Sequence, residues 1–162
     1  MYLSNGVEVL QWSNLQSDFL KLKADSTNTW EQGTFLQWDS SALKIKPWHP
    51  SDTTEAAASS QAAVIGIASA GKKSGDTDAV VALVAKALID VDSTNSLAGL
   101  QMAVVYDSTT GLYSVDSATN YNVTYNVDLT LTNDFIVCAD NTAYTDKLVV
   151  LIDGHARYNA LN

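Results

Sequence analysis

Hydrophobic and polar residues alternate with a period of two through much of this chain, the spacing of a strand with one buried face. The longest apolar run is Thr77 to Asp92. Its alanine and leucine residues favour helix, while its valine and isoleucine residues favour strand. Read as a strand, Val81, Leu83, Ala85, Ala87, Ile89 and Val91 form an apolar face, with Lys86, Asp90 and Asp92 turned to water. Strands usually run about five or six residues, so a bend or bulge near Ala85 is expected.

Upstream, Leu20 to Lys23 alternates as a strand, with a short amphipathic helix from about Ser13 to Lys23 as the competing reading. Gly33 to Trp38 and Leu43 to Lys46 read as a hairpin closed at Asp39-Ser40-Ser41, where short polar side chains bond to the backbone. Pro47 and Pro50 end that pattern, because proline cannot donate to a ladder. Ser51 to Ala63 is either a helical turn or an extended surface loop. Ala63 to Ala68 has the composition of a buried strand, and Gly71 to Asp76 is a turn. Downstream, Gln101 to Tyr106 and Leu112 to Val115 flank a turn at Asp107 to Gly111. Tyr121 to Thr132 alternates throughout, as an extra strand or hairpin arm. Phe135 to Ala139 and Leu148 to Gly154 supply further strands.

These segments recur in order, the mark of an internal repeat. Asp25-Ser26-Thr27-Asn28 returns 67 positions later as Asp92-Ser93-Thr94-Asn95. Trp38-Asp39-Ser40-Ser41 returns after 68 as Tyr106-Asp107-Ser108-Thr109, each copy leading to a leucine, Leu43 and Leu112. Thr77 to Val84 returns after 68 as Thr145 to Ile152. The pattern predicts an all-β protein of two tandem antiparallel barrel or sandwich units, residues 18–85 and 86–162, sharing the long central strand. Residues 1–17 form an apolar N-terminal arm that either packs on its own domain or reaches a neighbouring subunit.

At 162 residues the chain can bury a core without disulfides or metal. Nine basic against 18 acidic residues, a net charge of −9, argue against nucleic acid as a partner. The sequence shows no basic, apolar leader of the secretory kind and no run near the roughly 18 apolar residues of a membrane span. The chain is expected either to be soluble as synthesised or to become part of something assembled in the cytoplasm. Cys138, the only cysteine, sits among Ile136, Val137 and Ala139 and reads as a buried small hydrophobe.

The candidate chemistry is sparse. Gly66-Ile67-Ala68-Ser69-Ala70-Gly71-Lys72-Lys73 approaches a phosphate-binding loop, but Lys73 stands where a hydroxyl must ligate magnesium, and Gly75-Asp76 follows in place of a helix. His49 and His155 lack Glu or Cys at zinc-ligand spacing. No Gly-x-Ser-x-Gly elbow supports a serine nucleophile. The paired aspartates fit no calcium loop and are better explained as turn formers. Asn122-Val123-Thr124 matches a glycosylation acceptor but has no secretory context. No catalytic, metal or cofactor residue is expected. Trp38 and Tyr106, matched at strand ends, read as architecture. Trp48 and His49, set between two prolines, suit an exposed contact loop.

The segment from Phe19 to Val91 resembles the small β-barrel units of bacteriophage head decoration, or cement, proteins. The likeness rests on Leu20 to Ala24, Gly33-Thr34-Phe35-Leu36-Gln37-Trp38-Asp39, Leu43-Lys44-Ile45-Lys46-Pro47, the alanine-rich loop and Val64-Ile65-Gly66-Ile67-Ala68. It implies a non-enzymatic virion protein bound to the major capsid protein on the capsid surface, often as a homotrimer. Partner contacts are then expected at Tyr2, Leu3, Trp12, Trp48, His49, Tyr121 and Tyr125. The competing reading is a carbohydrate-binding β-module, or the receptor-binding part of a virion or cell-surface protein, which would need an exposed row of aromatic residues.

Overall fold

The computed structural model describes residues 5–49, 64–91, 102–120, 136–140 and 147–155. The chain is all-β. Its described elements are β1 (Val7–Trp12), β2 (Phe19–Lys23), β3 (Phe35–Asp39), β4 (Lys44–Pro47), β5 (Val64–Ala68), β6 (Asp78–Ala82), β7 (Val84–Val91), β8 (Met102–Asp107), β9 (Leu112–Asn120), β10 (Ile136–Asp140) and β11 (Lys147–Asp153), with one 3-10 turn at Gln16–Asp18. Residues 19–23 are therefore strand, and the competing helix from Ser13 to Lys23 is reduced to that single turn. The expected loop at 51–63, the arm at 121–132 and the turns at 92–97 and 141–146 lie outside the described residues.

Five strands form one sheet in the order β2-β6-β5-β3-β4, every neighbour antiparallel. An isolated parallel bridge from Ala24 to Ile45 brings its two outer strands toward each other, as in a small barrel. The second sheet runs β10-β11-β7-β9-β8, with β1 also paired to β7. β11 occupies one edge of β7, so β1 and the short parallel contact to β9 at Asp90 and Val91 share the other edge. The N-terminal segment thus packs on its own domain as a full strand, from Val7 opposite Ile89 to Trp12 opposite Ala85.

The central run is divided between the sheets. β6 belongs to the first and β7 to the second, and the break falls at Leu83, two residues before the expected bend. Both backbone groups of Leu83 are held from outside the run: its N–H donates to the Asp18 carbonyl at 2.8 Å, and its carbonyl accepts from the Gly154 N–H at 2.8 Å. A strand can stop where it leaves no buried polar group unpaired, and these two bonds satisfy that condition. The apolar face splits at the same place. Val81 and Leu83 join Leu36, Ile45, Ile65 and Ala68 in one core, while Ala85, Ala87 and Ile89 join Val7, Phe35, Trp48, Tyr113 and Val150 in another that spans both sheets.

Two glycines let backbones approach where no side chain fits. A Cβ on Gly66 would lie 2.2 Å from the Ala82 carbonyl oxygen, and one on Gly154 would lie 1.7 Å from that of Ile65. Gly154 therefore lets the end of β11 lie against β5 of the other sheet.

Aspartate begins the turns at Asp25, Asp39 and Asp107, as expected from the sequence. Asp25 Oδ1 accepts from the Thr27 N–H and hydroxyl, Asp39 Oδ1 from the N–H groups of Ser41 and Ala42, and Asp107 Oδ1 from the Thr109 N–H. The hairpin registers place Lys44 opposite Asp39 and Leu112 opposite Asp107. Leu43 therefore corresponds to Gly111 and not to Leu112, and both residues take the left-handed conformation, with φ of 53° and 74°.

Candidate functional site

Of the expected contact residues, Tyr2, Leu3, Tyr121 and Tyr125 lie outside the described residues. The structure corrects the expectation for Trp48: it is only 2% exposed. Its ring stacks almost parallel to Tyr113 and meets the edge of Phe35, with centroids 6.4 and 6.3 Å apart. Its carbonyl accepts a 2.6 Å bond from the Tyr113 hydroxyl. The bracketing prolines suggest a surface loop, but burial was decided by Tyr113, 65 residues away. His49, the next residue, is exposed and stacks on Tyr106 at 4.1 Å. The protein against that ring strips water from the imidazole and lowers its pKa, which favours the neutral form.

Two concavities lie near these residues. One, of about 320 Å³, has Asn5, Thr34, Trp30 and Tyr113 among its lining, with His49, Tyr106, Thr29 and Glu31 about it. Much of its polar lining is already committed. Asn5 donates to the Gln32 carbonyl and the Thr34 hydroxyl and accepts from the Val7 N–H. Tyr113 is fully buried, and its hydroxyl pKa is pushed up by that burial and by Tyr106.

The other is a groove of about 320 Å³ across three adjacent strands, lined by Trp12 and Gln11 from the end of β1, Val84 and Lys86 from β7, and Leu151 and Asp153 from β11. Trp12 is half-buried, tilted against Phe19 at 6.3 Å. Leu151, in the groove's lining, is 48% exposed, and Leu10 and Leu15 of the N-terminal segment are 41% and 63% exposed. Scattered single leucines are ordinary on a surface, but Leu151 shares this groove with Trp12 and Val84, which makes its lining apolar. Among the described residues neither Lys86 nor Asp153 has an ion-pair partner, although Asp153 Oδ1 accepts the His155 N–H at 3.0 Å.

Beside the groove lies a cluster that the sequence did not reveal. Asp18 is buried, with one carboxylate oxygen bonded to the Ser13 hydroxyl and the other 2.6 Å from His155 Nε2. The Ser13 hydroxyl first, then His155, holds the Asp18 carboxyl below its ordinary pKa. These are the residue types of a nucleophilic triad in the wrong order. The carboxylate sits between serine and histidine, so the serine hydroxyl bonds to Asp18 and not to the imidazole. Asp18 and His155 are 137 residues apart, and only the paired sheets bring them together.

The loop resembling a phosphate cradle is structural. Lys72 is buried, and its ammonium donates to the Asn28 carbonyl at 2.6 Å and lies 5.3 Å from the Trp30 ring centroid. Gly66 lies inside β5. Among the described residues no group of His, Cys, Asp and Glu is arranged to hold a metal ion. Compared with known protein families, curated proteins and solved structures, the chain matches none.

Proposed function

We propose that this chain is a non-enzymatic virion structural protein that decorates a bacteriophage capsid, binding the major capsid protein and reinforcing its lattice. The observation that carries this reading is the apolar groove walled by Trp12, Val84 and the exposed Leu151, on a body whose Asp25, Asp39 and Asp107 are spent on turns and Asp78 on an ion pair. A carboxylate held between Ser13 and His155 is suited to joining chain segments and not to turnover. A lattice offers many identical sites, so modest contacts accumulate into firm attachment.

The reading includes an internal duplication, supported by a corresponding hairpin register. Trp38 faces Ile45 as Tyr106 faces Tyr113, each 68 residues on.

Co-sedimentation with shells assembled from the cognate major capsid protein tests the function. Saturable binding at a fixed ratio to capsid subunits is expected, and a chain that stays in the supernatant at every shell concentration refutes the proposal. The recess beside His49 and Tyr106 favours a second reading, carbohydrate binding, because it combines aromatic rings with the Thr29 hydroxyl and Glu31 carboxylate. A glycan array with the wild type and Tyr106→Ala tests it.

A further inference from the structure

We infer that the Trp12 groove binds the same groove of a second copy of this chain about a two-fold axis. The inference rests on the adhesive reading of this surface and names the partner. Lys86 and Asp153 line one groove together, and among the described residues neither has an ion-pair partner. A surface carrying one unpaired cation and one unpaired anion is complementary to itself when rotated by half a turn: each lysine then meets the other copy's aspartate. The chain carries a net charge of −9, so two copies repel at long range. Association therefore needs a local apolar contact with matched charges, and Trp12, Val84 and Leu151 supply the apolar part.

Across β7 and β11 the pair beside the groove is Lys86 with Leu151. A two-fold contact closes into a pair, unlike the three-fold arrangement implied by the resemblance to decoration proteins.

The test is sedimentation-equilibrium ultracentrifugation of the purified chain, with circular dichroism and thermal melting to establish that each variant folds. Wild type is expected to be a dimer. Lys86→Asp and Asp153→Lys should each weaken it at least tenfold, because each places two like-charged contacts across the axis. Mixing the K86D chain with the D153K chain should restore dimers, since both contacts then join opposite charges. Leu151→Ser, a milder change at an exposed position, should also weaken association. A wild type that stays monomeric overturns the inference, as do single variants that associate undiminished or a mixture that does not recover. A monomer that still binds capsid shells sinks this inference alone, whereas a dimer that ignores shells sinks the decoration reading and leaves the pairing intact.

Discussion

Replacing Tyr113 by phenylalanine tests how the two sheets are joined. Tyr113 stands on β9 of the second sheet, fully buried, with the rings of Tyr106 and Phe35 at 4.9 and 5.0 Å, and its hydroxyl donates to the Trp48 carbonyl at 2.6 Å. Phenylalanine keeps the ring and removes the donor, leaving a buried carbonyl without this bond. An unsatisfied buried group costs about 1–3 kcal/mol. For a chain of this size each kcal/mol moves the melting temperature by about 2–4 °C, so a fall of about 2–12 °C is expected. Alanine at the same position also removes the ring from the core, for a total of about 3–5 kcal/mol. Urea titration followed by tryptophan fluorescence measures both variants. The denaturant slope should stay at the wild-type value, because a core spanning both sheets makes them unfold together. A phenylalanine variant that melts within about 1 °C of wild type, beside a strongly destabilised alanine variant, would refute a stabilising hydroxyl bond.

Other perturbations have equally defined outcomes. Gly154→Ala drives a methyl group into the Ile65 carbonyl and should cost more than about 4 kcal/mol, read as loss of soluble folded protein or a collapsed melting temperature. Leu43, 65% exposed at φ 53°, should accept glycine with a gain of up to about 1 kcal/mol, because relief of left-handed strain exceeds the added unfolded-state entropy, whereas Gly111→Leu should destabilise. Acid should act in two stages. The folded pKa of His49 is below its ordinary 6.5, so its contribution is present above that value and lost as pH falls through the lowered one. Asp39, held down first by the Ser41 hydroxyl and then by Lys46, and Asp18 have folded pKa values below the ordinary 3.8, so their contributions disappear as pH falls further still. Melting temperatures across pH should lose the first stage in His49→Gln and part of the second in Asp39→Asn.

The parts of this architecture legible in the sequence depend on neighbours along the chain. Alternation located the β3–β4 hairpin, and an aspartate followed by hydroxyl residues located the turns, because Asp39 and Asp107 bond to groups two or three residues away. The break at Leu83 was displaced because its cause lies in Asp18 and Gly154, which no local window contains. Trp48 was placed outside for a similar reason: Pro47 and Pro50 describe the local backbone, while Phe35 and Tyr113 decide the burial. Trp12 stands in the sequence only as an apolar residue of the N-terminal segment, and the groove around it needed β7 and β11 to be set beside β1.

The hold on Leu83 from both directions along the sequence has a consequence for biosynthesis. Its amide is secured by Asp18, made before it, but its carbonyl waits for Gly154, made well after it. During translation this junction is therefore closed on one side only, and a product that stops before Gly154 would have its two sheets linked but never locked.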